Sequence, residues 1–202
     1  MNGRNMGKHP RKKTVNQHRY FRLSIILVAA VLGVGFSSLP GTAQTTARLG
    51  EGSYLTALPR QALAESLVAT LRGLGVDTSH VLWRGTGRLG LYFVEAGANQ
   101  RGSTVLYDRD GSAISLAEPD EYPFDAALAG VHWLHVTGIT PSISQAACRS
   151  NLELVRRAKQ AGATVSCDLN FRKKLWNWRP GTDKKALARE CMSEVLQYVD
   201  LV

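Results

Sequence analysis

Apolar positions along this chain change period as it proceeds, and the changes predict its elements. Leu63, Leu67, Val68, Leu71 and Leu74 recur three and four residues apart, so one face of a helix over Ala62–Gly73 is apolar, with Gly73 and Gly75 as its stop. Short β-branched and aromatic runs follow at Val81–Arg84, Leu89–Glu95 and Ser103–Arg109, separated by Gly85, Gly87, Gly97 and Gly102. They predict hairpin-connected antiparallel strands. After Pro123 the rhythm alternates: strand 131–137, helix 143–160, a stop at Gly162, strand 163–169, helix 182–197 and the start of a strand over 198–202. Alternation of that kind implies a parallel sheet with right-handed crossovers and helices on its faces, an α/β fold.

The first 45 residues follow another grammar. An apolar block, Leu23–Phe36, comes after a basic run and before small residues at Gly41 and Ala43. This is the order of a secretory signal. The block is shorter than the roughly 18 to 20 residues that span a bilayer comfortably, so a cleaved signal or marginal anchor fits better than a standard transmembrane helix. A core strand or helix is the alternative reading. The shift in composition near 43–48 divides the chain into a segment 1–45 and a patterned domain 46–202. Export through residues 1–43 and membrane contact through residues 1–36 are the expectations this segment raises.

Charge sharpens the division. The net charge is +9 over 202 residues, but residues 1–22 hold seven basic residues and no acid, leaving +2 on the remainder. A basic nucleic-acid-binding face on the folded part is therefore not expected. Cys148, Cys167 and Cys191 form no Cys-x-x-Cys pair and have no histidine at ligand spacing. They read as reduced, packed thiols, and no metal site is predicted.

The densest chemistry lies at Ser166–Trp176, Ser-Cys-Asp-Leu-Asn-Phe-Arg-Lys-Lys-Leu-Trp. Open α/β sheets bind ligands beyond the carboxyl ends of their strands, so Asp168, Asn170 and Arg172 stand at a ligand edge. Arginine there can grip an anion in bidentate fashion, whereas lysine acts as a point charge. Tyr107 and Arg109 alternate with Asp108 and share one strand face; Tyr92 shares a face with Gly90 and Val94. These groups suit either a pocket or an exposed lid surface. His135 reads as a core or edge histidine, and Gly138 as a point of close backbone approach. Lys173 and Lys174 read as a solvated pair, with Lys173 a minor candidate for phosphate.

Six segments in order carry a resemblance: Ala47–Gly50, Leu71–Ser79, Gly90–Glu95, Tyr107–Ala113, His135–Ile139 and Asp168–Trp176. Together they resemble a ribokinase-like sugar kinase of the PfkB type, and within it the 2-keto-3-deoxygluconate kinases. The resemblance implies a parallel sheet flanked by helices with a small antiparallel β lid at about 81–109, incomplete in this chain. It implies transfer of the ATP γ-phosphoryl group to a sugar-acid hydroxyl, with ATP and Mg2+ as cofactors, in the cytoplasm. It places Tyr92, Tyr107, Arg109 and Arg172 at the substrate, and Asn170, Arg172 and Lys173 at the nucleotide phosphates. It further implies pairing of two copies through the lid strands. A fructokinase or ribokinase, or a non-catalytic sugar-acid-binding remnant, are the alternatives.

The sequence also departs from that pattern. The opening strand with a substrate aspartate and the Gly-Gly-x-x-x-Asn segment have no counterpart in residues 1–45, and Gln61 and Ala64 replace the usual Asn and Gly near Pro59. No Gly-Ala-Gly-Asp motif occurs, so no catalytic base is identified. The resemblance puts that base beyond Val202, and this chain alone is expected to be inactive.

Overall fold

The structure, a computed structural model, describes the backbone of Ile25–Leu27 together with residues 52–97, 100 and 102–202. Its elements in order are β1 (Ile25–Leu27), β2 (Ala57–Pro59), α1 (Ala62–Gly73), β3 (Leu82–Arg84), β4 (Leu91–Glu95), β5 (Thr104–Asp108), α2 (Ala113–Leu116), α3 (Phe124–Leu128), β6 (Trp133–Thr137), α4 (Ile139–Ile143), α5 (Gln145–Gln160), β7 (Thr164–Asp168) and α6 (Lys184–Leu196). A parallel sheet runs β1-β6-β7, and Leu201 bridges Ser166 in parallel on the far side of β7.

In the middle of this sheet apolar residues alternate with polar ones, Leu134 and Val136 about His135 on β6 and Val165 and Cys167 about Ser166 on β7. Leu134, Val136 and Val165 are fully buried, packed in one cluster with Ala147, Leu154, Val155 and Ala158 of α5 and Leu187, Cys191 and Val195 of α6. Each such Leu or Val contributes about 1.5 to 3 kcal/mol relative to exposure. Gly162, at φ +81°, turns the chain out of α5, and the Ala163 N–H closes on the Ala158 carbonyl at 2.9 Å. The expected glycine stop is thus a left-handed turn that leads straight into β7.

The expected helix from Ile143 to Gln160 is interrupted. Ser144 is extended, and its hydroxyl accepts from the Ala147 N–H at 3.0 Å, so it caps α5 and ends α4. A serine in that position satisfies one of the helix's orphan donors. Asp183 does the same for α6, accepting from the Ala186 N–H at 2.9 Å.

The three glycine-separated runs do not form one antiparallel set. β3 pairs in parallel with β2, Ala57 opposite Leu82, and only β4 and β5 form the antiparallel hairpin. The reason is a second core: Tyr54, Leu58, Val68, Leu71 and Val81 pack together, which holds β3 beside β2 and under α1. A period of two marks a strand, but it does not choose the partner.

Residues 1–22 and most of the apolar block lie outside the described residues. Within the block, Ile25–Leu27 is strand β1, in register with Trp133–His135. Among the described residues no helix is long and apolar enough to cross a membrane. The three cysteines are free thiols. Cys148 on α5 and Cys191 on α6 meet in a thiol hydrogen bond, which with burial pushes the Cys148 thiol up.

Candidate active site

The β4–β5 hairpin sets two tyrosines opposite each other. Tyr92 pairs with Tyr107 in register, their ring centroids 6.5 Å apart and tilted by 41°. The alternation expected from the sequence holds: Asp108 turns to Arg88, whose guanidinium spans both carboxylate oxygens, with Nη1 3.0 Å from Oδ2. Arg109 instead lies over the Tyr107 ring, 5.0 Å from its centroid.

A tight turn sets the path of the chain after Arg109. The Ser112 N–H donates to the Arg109 carbonyl at 3.1 Å, and Gly111 sits at φ +66°, where a side chain would be strained. The Gly111 carbonyl and the Ala113 N–H then clasp the backbone of Arg88. Strand end, turn and the approach to β4 therefore form one unit.

That unit walls a cavity of about 150 Å³, lined in part by Tyr54, Thr56, Gly90, Tyr92, Arg109 and Ser112. Burial pushes the Tyr54 phenol up to about 12, so it stays neutral there. Arg109 is 5% exposed, and neither terminal nitrogen of its guanidinium has a hydrogen-bond partner. Burial lowers its pKa below the ordinary arginine value; Tyr107 and Tyr92 oppose that shift, and the positive charge of Arg172 adds to it. A buried cation without an anion is costly, and the arrangement is chemically suited to receive one.

The exit of β7 supplies the other polar groups. Thr137 and Asp168 face each other at the ends of β6 and β7, where the threonine hydroxyl donates to Oδ1 and the Gly138 N–H donates to the Asp168 carbonyl at 2.8 Å. A β-carbon on Gly138 would stand 2.2 Å from the Leu169 carbonyl oxygen, so close backbone approach requires this glycine. Asn170, at φ +33°, bends the chain toward Arg172 and Lys173, both exposed. These three do not line the cavity, although Arg172 is near enough to act on the charge of Arg109.

One sequence reading changes here. Lys174 is not simply solvated: its amine donates to the Val105 carbonyl at 2.6 Å and ties the β7 loop to the hairpin. Arg88, Tyr54 and Thr56 lie outside the six resembling segments, and Ser112, within Tyr107–Ala113, is not singled out there; the turn after Arg109 and the chain leading into β2 bring them to the cavity. His135 hydrogen-bonds to Ser166 Oγ at 2.8 Å, and the Trp133 indole donates to the same oxygen. Among the described residues no group of three or more His, Cys, Asp or Glu could hold a metal ion.

Residues 41–202 match the profile of the pfkB family carbohydrate kinases. The chain belongs to that family. Within the pfkB family it is 35% identical over 136 residues to the 2-dehydro-3-deoxygalactonokinase of Haloferax volcanii, covering 67% of this chain and 42% of that protein. It is 29% identical over 150 residues to the 2-dehydro-3-deoxygluconokinase of Dickeya dadantii, covering 73% of this chain and 46% of the relative. The crystal structure of 2-dehydro-3-deoxygluconokinase from Thermotoga maritima superimposes with a TM-score of 0.68 at 37% identity, over 75% of this chain and 44% of that one. The ribokinase-like fold follows, and the chain spans less than half the length of these relatives.

Proposed function

We propose that this chain carries the sugar-acid-binding part of an ATP-dependent kinase whose substrate is 2-keto-3-deoxygluconate or a close stereoisomer. The buried, unpartnered guanidinium of Arg109 carries this reading. A sugar carboxylate would give it the missing anion in a bidentate, charge-assisted pair. The rings of Tyr92 and Tyr107 would flank the sugar's apolar side, and Arg172 would hold the acid's outer oxygens or the phosphates. Relatives named for 2-dehydro-3-deoxy sugar acids support the substrate class. A fructokinase reading, drawn from a 27% identical probable fructokinase of Arabidopsis thaliana, leaves Arg109 without a charge to meet.

In such an enzyme ATP supplies the phosphoryl group, and catalysis is positioning plus neutralisation of spread negative charge. Asn170, Arg172 and Lys173 at the β7 exit would bind phosphate oxygens, and Mg2+ would travel with those phosphates, with Asp168 the nearby carboxylate. The exposed Leu91, Phe93 and Leu106 of the hairpin are the surface through which two copies would pair. Action in the cytoplasm, where ATP is abundant, completes the proposal. A sugar-acid-binding protein without turnover is the second reading.

Calorimetric titration of the full chain with 2-keto-3-deoxygluconate and with fructose tests the substrate class. Binding of the acid alone is expected, and equal binding of both sugars or of neither overturns it. A coupled ATPase assay on the same protein tests the second reading: it requires background turnover with intact binding, and robust turnover would remove it.

A further inference from the structure

Arg109 is not alone in lacking a partner at this cavity. Ser112 is 1% exposed, and its hydroxyl makes no hydrogen bond. A buried hydroxyl left unpaired is unfavourable, so its persistence asks for a ligand. Its position also excludes the usual local role. Ser112 precedes α2 as its N-cap, yet its side chain does not cap the helix, and it is the Ser112 carbonyl that receives the Ser115 N–H at 2.9 Å, the Leu116 N–H at 3.2 Å and the Ser115 hydroxyl at 2.8 Å. With its N–H given to Arg109, the whole backbone of Ser112 is occupied and the hydroxyl is the group left over.

Gly90 shows where that hydroxyl stands. A β-carbon there would lie 3.5 Å from Ser112 Oγ and 3.8 Å from Arg109 Cγ, so the two side chains flank one bare backbone position on the cavity wall. Two unpaired donors, one charged and one neutral, thus line the same cavity.

We propose that the Ser112 hydroxyl is a ligand contact, donating to the same carboxylate that Arg109 grips and so helping the pocket select acids over neutral sugars. This rests on the sugar-acid reading above. It differs from a structural role in the sign of its effects: removing an orphan hydroxyl relieves the free protein and costs the complex.

The test uses the full chain, titrated calorimetrically with 2-keto-3-deoxygluconate, beside thermal melts without ligand. Ser112→Ala is expected to bind about tenfold or more weakly, the scale of a lost hydrogen bond to a charged group, while its ligand-free Tm stays level or rises. Ser112→Cys keeps the shape with a poor donor and should weaken binding in the same direction. Ser115→Ala removes a hydroxyl that is already satisfied, and should lower Tm with affinity unchanged. Wild-type affinity in folded Ser112→Ala or Ser112→Cys overturns the inference and leaves the sugar-acid reading intact. No binding by the wild type overturns both.

Discussion

The guanidinium of Arg109 stacks 5.0 Å from the centre of the Tyr107 ring while its terminal nitrogens go unpaired in the protein interior. Stacking on an aromatic face offsets some of the lost hydration, by about 0.5 to 2 kcal/mol, but leaves the hydrogen-bonding capacity unused. The free protein is therefore destabilised at this buried, unpaired cation.

Arg109→Met tests that relationship directly. Methionine fills comparable volume without the buried charge, so the ligand-free protein is expected to melt at the same or a higher temperature than wild type. Binding of 2-keto-3-deoxygluconate should fall at least about tenfold, since a charge-assisted pair is lost. Differential scanning fluorimetry and titration calorimetry on one preparation check both signs; a lower Tm with unchanged affinity would make Arg109 a structural support for the hairpin.

Arg172→Ala should act differently because Arg172 is exposed. Its contribution to an anion is screened by salt, so the loss of sugar-acid affinity should be clear at low ionic strength and shrink at high ionic strength. The Arg109→Met loss should persist across the same range. Parallel salt titrations of the two variants measure the contrast, and identical salt dependence would place both arginines in the same environment.

The features that were legible in the sequence are those set by local period and by turn residues. Helix α1 spans the expected residues, but it buries Ala64, Val68 and Leu71 while Leu63 and Leu74 of the expected apolar face are exposed; the Tyr92, Tyr107 and Arg109 arrangement follows from strand alternation. The partner of β3 was not legible, because the packing of Tyr54 and Val81 under α1 decides it over long range. Nor was Ser112: a Gly-Ser after a strand reads as a turn, and only three dimensions show that its hydroxyl has nothing to bond. Ser144 broke a periodic run that continued on both sides, since capping competes locally with helix propagation.

Glu153 on α5 gives a pH-dependent prediction away from the pocket. Arg156 and then Arg157 donate to its carboxylate at 2.6 to 2.9 Å and hold its pKa down at about 2. A depressed carboxylate stabilises the fold above the unfolded value of about 4.3, and that contribution is lost as pH falls toward 2. Glu153→Gln should lower Tm at neutral pH, with the gap to wild type closing as the buffer goes from about 4.3 toward 2. Melts across that range decide it, and a gap that stays constant would show the effect is not ionic.

Gly138 and Gly73 form a matched pair of glycine tests. A β-carbon at Gly138 would collide with the Leu169 backbone carbonyl at 2.2 Å, and a backbone oxygen at the end of β7 cannot swing aside as a side chain can. Gly138→Ala must therefore push the ends of β6 and β7 apart, and a loss of about 1 to 3 kcal/mol is expected, the scale of overpacking. The same displacement would move Asn170 and Arg172, which come directly after β7. At Gly73, the last residue of α1, a β-carbon meets nothing within 4 Å. Gly73→Ala is expected to be neutral or stabilising by up to about 1 kcal/mol, through reduced freedom of the unfolded chain. Urea unfolding of the two variants measures the difference; similar stabilities would mean that β7 can yield at Gly138 without cost to the fold.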